Sequence, residues 1–274
     1  MKNLKQALQN GEILTGMFCL MNDPSIIELM GYAGFDFVIV DCEEAGLDVY
    51  GTETEACIRA CAAAGIAPMI RPIEARPAPI LKALNFGAQG VFAPHVATKA
   101  QAETVGRACR YPPQGIRSSV PIPRAAKYGF TPWETYREEA NANTLAMIMI
   151  EEVPGGTRER YKTVEPPEEI LAAESIDGVL PGGWDIATDL GIARYGTPAE
   201  ETQQWMERII RAARDRGLFV AAHAWNNEIG QKYVDMGAQM ILLSLDITMM
   251  LNGARDLKRT IESIDTTKWK TASV

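Results

Sequence analysis

Phe86-Gly-Ala-Gln-Gly-Val-Phe92 and Met236-Gly-Ala-Gln-Met-Ile-Leu242 are one junction written twice. In each, a helical pattern stops at a glycine and an apolar run starts three residues later. Glycine just past a helix supplies the left-handed backbone that ends it. Gly34, Gly65 and Gly217 mark junctions of the same kind. A repeated helix–glycine–strand unit suits a fold built of βα modules.

Working outward from these junctions, eight short runs read as strands: Leu14–Met17, Phe37–Asp41, Ala67–Arg71, Gly90–Ala93, Leu145–Glu151, Ile176–Leu180, Leu218–Ala222 and Met240–Ser244. Helical patterns lie between them at Ser25–Ala33, Glu53–Ala64, Ala78–Phe86, Lys99–Cys109, Pro167–Glu174, Ala199–Arg216 and Asn227–Met236, and Ile247–Ile264 reads as an eighth helix. Eight alternating units predict an α/β fold, a single (β/α)8 barrel over residues 1–274, with a doubly wound open sheet as the alternative. One connection is long. Residues 111–140 are expected to form an insertion over the barrel mouth, with a short helix at Trp133–Ala142. The tail from Asp265 is expected to fray.

Acidic residues outnumber basic ones by 35 to 27, a formal net charge of −8. That balance argues against binding to nucleic acid or an anionic membrane. The longest apolar stretch, Met240–Leu251, is broken by Ser244 and Asp246, so no membrane helix is expected. The start lacks the apolar core of a secretory signal, which points to a cytoplasmic protein. Five cysteines without a close C-x-x-C pair suggest reduced thiols. Two histidines, His95 and His223, leave little room for a zinc site or a Ser-His-Asp triad.

Barrel enzymes carry their chemistry at the carboxyl ends of the strands. The polar residues there are Asp41-Cys-Glu43-Glu44, Arg71, His95, Glu151-Glu152, Gly182-Gly183-Trp184-Asp185, His223 and Asp246. Glu151 and Asp185 end adjacent strands. Two carboxylates leave most of an octahedral shell to water and substrate, as Mg²⁺ or Mn²⁺ prefers; the alternative is a plain ion pair with arginine. Arg71, between Ile70 and Pro72, suits a carboxylate or a developing enolate, or simply an ion pair with Asp41 or Glu44. The glycine turn at Gly182-Gly183 offers free N–H groups to an anion, or is only a tight turn.

These residues together resemble the class II pyruvate-dependent aldolases of the HpcH/HpaI type. The likeness runs through Asn3-Leu-Lys-Gln, Tyr32-Ala-Gly-Phe-Asp-Phe37, Asp41-Cys-Glu43, Tyr111-Pro-Pro-Gln-Gly-Ile-Arg117, Ile150-Glu151, Gly182–Asp185 and Gly237-Ala238. The resemblance implies a (β/α)8 barrel whose last helix is exchanged between subunits of a homo-oligomer, a hexamer or trimer of dimers. It implies a C–C lyase or condensing enzyme for a small 2-oxo acid. It makes Glu151 and Asp185 ligands of Mg²⁺ or Mn²⁺, with Co²⁺ also suitable. It gives the pyruvate carbonyl oxygen to Arg71, and the substrate carboxylate to the turn Gly183-Trp184-Asp185 through the N–H groups of Trp184 and Asp185. Asp41 matches the aspartate of the family's Asp–His dyad. In the implied reaction a 2-oxo acid loses or gains a proton at C3, while metal and Arg71 stabilise the enolate oxygen.

Three positions depart from the family's pattern. Glu44 stands where the family has the histidine base, so Glu44 is the expected base, with Asp41 and Glu43 as neighbours that would raise its pKa. Trp184 replaces a small residue. Met149 replaces a glutamine. The alternatives on the same scaffold are a metal-assisted hydrolase or decarboxylase of an oxo acid, and a binding protein without catalysis.

Overall fold

Gly65 and Gly87 take the left-handed conformation, at φ +77° and +103°, and end the helices before them. The computed structural model describes residues 1–158, 163–193 and 199–264; the tail from Asp265 lies outside them. The strands are β1 Leu14–Cys19, β2 Phe37–Asp41, β3 Ala67–Arg71, β4 Gly90–Ala93, β5 Leu145–Ile150, β6 Gly178–Pro181, β7 Phe219–His223 and β8 Met240–Leu245. They pair in parallel and in chain order into a closed barrel. The helices are α1 Leu4–Gln9, α2 Pro24–Tyr32, α3 Thr52–Ala64, α4 Pro77–Phe86, α5 Lys99–Ala108, α6 Trp133–Asn143, α7 Pro167–Ile170, α8 Gly183–Asp189, α9 Glu200–Asp215, α10 Asn227–Asp235 and α11 Asp246–Glu262.

Strand parity sorts the core into two layers. Alternate residues of a strand face opposite sides. Phe37 and Ile39, Ala67 and Met69, and Leu145, Met147 and Met149 belong to one buried cluster, which fills the barrel. Val38, Val40, Ile70, Ala146 and Ile148 belong to another, between sheet and helices. Extending the inward parity past the apolar layers puts Asp41, Arg71 and Glu151 at the top of the lumen. The bottom is plugged by Leu4 and Leu8 of α1, which pack with that inner cluster. Sequence reading did not anticipate α1, and it extended α7 past Ile170, where the chain instead turns toward β6.

The insertion sits elsewhere than expected. It follows α5 and precedes β5, so it runs along the amino-terminal side of the barrel. There Asn143 accepts a 2.8 Å hydrogen bond from the Asn3 side chain, beside the plug helix. Tyr111 packs edge-on against Trp133 at 5.0 Å, and the Arg117 guanidinium lies 4.5 Å from the Tyr111 ring centre. The segment braces α4, where Arg117 donates to the Asn85 side chain and Arg124 to the Phe86 carbonyl.

No helix among the described residues is long and apolar enough to cross a membrane. The five cysteines are free and buried. Burial pushes the Cys42 thiol up to about 12, which leaves it inert as a nucleophile.

Asp246 closes the barrel seam. Its two oxygens accept the N–H groups of Leu20 and Met21, each at 2.9 Å, tying the end of β8 to the end of β1. Asp246→Ala leaves both donors without a partner and should cost about 2 kcal/mol in urea denaturation. A change below about 0.5 kcal/mol would show that the seam does not depend on it.

Candidate active site

Arg71 is held on three sides. Its Nε and Nη2 donate to the two oxygens of Asp41 at 2.8 and 2.5 Å. Its Nη1 lies 3.0 Å from Glu43 Oε2, and its guanidinium carbon lies 4.9 Å from the centre of the Phe18 ring. Asp41 and Arg71 are register partners on β2 and β3, so pairing of the strands delivers the ion pair. Asp41 is fully buried and also accepts the Glu43 N–H at 3.0 Å. Burial opposes the Arg71 charge, but hydrogen bonding to Asp41 and the charges of Asp41, Glu43 and Glu151 outweigh it and raise its pKa.

His95 joins this cluster from the end of β4. Its backbone has φ +52°, a conformation uncommon for a residue with a side chain. That bend breaks strand parity and turns the ring into the site. Its N–H donates to Glu151 Oε2 at 2.7 Å, and Nδ1 lies 2.8 Å from Glu152 Oε1. Nε2 is 3.0 Å from Glu43 Oε1 but off the axis of the ring N–H, so that oxygen is left without a hydrogen bond. Glu152 Oε2 is also buried without a partner. Burial lowers the His95 pKa, but the bond to Glu152, the Glu43 carboxylate 3.0 Å from Nε2 and the nearby Glu151 charge prevail and push it up to about 10. Carboxylates against both ring nitrogens favour the imidazolium form.

Glu151 is 1% exposed. Gly182 makes room for it: a Cβ there would overlap the Glu151 side chain. Burial raises its pKa, against the pull of His95, and the charges of Asp185 and Glu43 raise it further. Asp185 lies in the first turn of α8 and pairs with Arg158 Nη1 at 2.5 Å. Five carboxyl groups, on Asp41, Glu43, Glu151, Glu152 and Asp185, meet the cations Arg71, His95 and Arg158. Negative charge is left over around Glu151 and Asp185. Among the described residues no three acid, histidine or thiol groups converge into a metal cage. A pair of hard oxygen ligands is what Mg²⁺ or Mn²⁺ needs when water and substrate complete the shell, so Glu151 and Asp185 fit such an ion.

The structure thus gathers Asp41, Arg71 and Glu151, with Asp185 after the strand that neighbours the one carrying Glu151. Glu44 is exposed, its N–H is 3.5 Å from Asp41 Oδ1, and its carboxylate has no partner among the described residues. Gly183 and Trp184 open α8, with the Trp184 ring exposed. The sequence marks His95 as a strand-end polar residue and as the base to consider if Glu44 is not it, and it does not single out Arg158. The signal for His95 was the absence of a histidine at position 44 in a chain that has one at the next strand end but one.

Residues 14–253 match the family model described as HpcH/HpaI aldolase/citrate lyase. The hydroxypyruvate/pyruvate aldolase of Deinococcus radiodurans is 31% identical over 257 residues, covering 92% of this chain and 87% of that protein. The 4-hydroxy-2-oxo-heptane-1,7-dioate aldolase of Escherichia coli is 30% identical over 257 residues, covering 93% of each chain. The solved structure of an HpcH/HpaI aldolase from Desulfitobacterium hafniense superposes with a TM-score of 0.84 at 27% identity, covering 97% of this chain and 99% of that one.

With only two histidines in the chain, the charge on His95 can be read by NMR of the metal-free protein. The His95 ring should stay protonated at pH 8, while His223, whose pKa burial lowers, should be neutral there. A raised folded pKa contributes stability fully present below pH 6.5 and lost as the pH rises toward 10, so chelator-treated protein should lose stability across that window. Two rings titrating together near the ordinary value of about 6.5 would contradict this geometry.

Proposed function

The chain belongs to the HpcH/HpaI aldolase/citrate lyase family, and from that premise we propose that it makes or breaks the carbon–carbon bond at C3 of a small 2-oxo acid. The observation that carries the reading is Arg71, fixed by Asp41 and Glu43 beside the buried Glu151. A guanidinium has five N–H donors; this one bonds Asp41 with two and holds Nη1 near Glu43, which leaves donors for a carbonyl oxygen. A donor already aimed at the place where charge develops stabilises an enolate without reorganising.

Glu151 and Asp185 would hold Mg²⁺ or Mn²⁺, with Co²⁺ a further candidate. When bound, that ion supplies Lewis-acid stabilisation of the enolate oxygen. The N–H groups of Trp184 and Asp185, behind the turn at Gly183, orient the substrate carboxylate. Glu44 is the first reading for the proton carrier at C3, since it occupies the matching position. A second reading follows from His95, because the site's imidazole enters from β4 and lies between Glu43 and Glu152.

The two carriers separate by mutation. Glu44→Gln should slow turnover of a 4-hydroxy-2-oxo acid about 10²–10⁴-fold if Glu44 moves the proton. Near-normal turnover in Glu44→Gln, with the loss appearing in His95→Gln, would transfer that role to His95. Separately, calorimetry should find that Glu151→Gln and Asp185→Asn no longer bind Mg²⁺ or Mn²⁺ and no longer turn over. Full wild-type activity in excess chelator would refute the metal site.

We also propose that α11 is covered by a second copy of the chain. Met250, Leu257 and Ile261 of this helix are exposed, and so are Leu29, Tyr32 and Leu243 on the barrel beside the β1–β8 seam. Two apolar faces that leave each other uncovered on one chain match each other across a symmetric assembly. Light scattering at micromolar concentration should give a multiple of 30.0 kDa, six-fold for a hexamer; a mass of one chain would refute the assembly.

A further inference from the structure

Arg158 is positioned from both ends by a single helix face. Asp185 and Asp189 lie one turn apart on α8. Asp189 is buried and takes the backbone of the loop after β5: Oδ2 accepts the Val153 N–H at 2.8 Å and Oδ1 accepts the Arg158 N–H at 2.7 Å. Its carbonyl accepts the N–H of Thr157 at 2.7 Å and its hydroxyl at 2.8 Å. Gly156 lets the loop come this close, because a Cβ there would run into the Asp189 carboxylate. Asp185 takes the guanidinium itself. The cation is therefore carried to the mouth by a built loop.

The other cations of the site are spoken for. Arg71 is buried and shared between Asp41 and Glu43, and His95 is buried between Glu43 and Glu152. Arg158 differs on two counts. Its side chain is 30% exposed, and among the described residues its guanidinium bonds only Asp185, through Nη1. If Asp185 serves a divalent ion, the guanidinium loses its partner and remains aimed at the entrance. An arginine fork there matches a second carboxylate in both charge and shape.

We propose that Arg158 is a specificity-determining residue that binds the distal carboxylate of an acidic acceptor aldehyde or of a dicarboxylic 2-oxo acid. This rests on the 2-oxo acid reading of the site. It makes the preferred substrates dianionic, and it gives the loop of residues 153–158, with Gly156 and Asp189, the task of holding that selectivity.

The test compares ratios, so that a loss common to all substrates does not count. For wild type and Arg158→Gln, kcat/KM is measured for addition of pyruvate to succinic semialdehyde and to butanal, which match in length and differ by the carboxylate. In parallel, calorimetry on Mg²⁺-loaded protein compares binding of 2-oxoglutarate with binding of pyruvate. Wild type should favour the acidic partner in both assays. Arg158→Gln should cut each preference about tenfold or more, the range expected for a hydrogen bond between charged groups. Equal losses for acidic and neutral partners, with the ratio unchanged, would mean that Arg158 only braces Asp185 and would overturn the proposal. A wild-type protein without preference for the acid would overturn it as well. A wild-type protein that neither binds nor turns over any 2-oxo acid would remove the underlying reading, and this one with it.

Discussion

Everything at the mouth of this barrel depends on the ion pair between Asp41 and Arg71. The two residues face each other in the β2–β3 register, one position above the last apolar layer of the lumen. A buried guanidinium is costly unless its charge is met and its N–H groups are bonded. Asp41 meets both needs with two bonds, and Glu43 adds a third contact. The result is a cation whose direction is set by the backbone of two strands. Glu151 then lies beside it, enclosed by the His95 N–H on one side and by Gly182 on the other.

This arrangement concentrates acid in a small volume. Glu43, Glu151 and Glu152 surround one imidazole, and two of their buried oxygens lack a hydrogen bond. Such a cluster is unfavourable for stability alone, and charged groups of this kind gather at sites that perform chemistry. Position 44, just after the second strand, is an exposed glutamate. The imidazole present comes instead from the fourth strand, on a backbone bend at φ +52°. In the proposed reaction, Arg71 serves the enolate, Glu151 and Asp185 serve the ion, and the imidazole nearest them is that of His95.

How far the sequence was legible follows from parity and from connection order. The eight strands and the closed barrel are legible as eight apolar runs alternating with helical patterns, and Asp41, Arg71 and Glu151 as polar residues at strand ends, whose inward direction continues that of Ile39, Met69 and Met149. His95 does not follow, because a left-handed backbone reverses the direction of its side chain. Arg158 does not follow either, since its position depends on Asp189, 31 residues away. The 111–143 segment was legible and was read at the wrong end: a connection that follows a helix and precedes a strand must lie where strands begin. Its tyrosine, tryptophan and arginine cluster serves the base of the barrel.

The central claim is that Arg71, locked by Asp41, stabilises an enolate next to the Glu151–Asp185 pair. Exchange of the pyruvate methyl protons with D2O, followed by NMR without any acceptor, reads that enolate directly. Wild-type protein with Mg²⁺ or Mn²⁺ should exchange these protons, exchange should be lost in chelator, and Arg71→Lys should slow it about 10²–10³-fold, the scale expected when one preorganised donor is removed. Wild-type protein that fails to exchange these protons, or Arg71→Lys that exchanges them as fast as wild type, would contradict the claim.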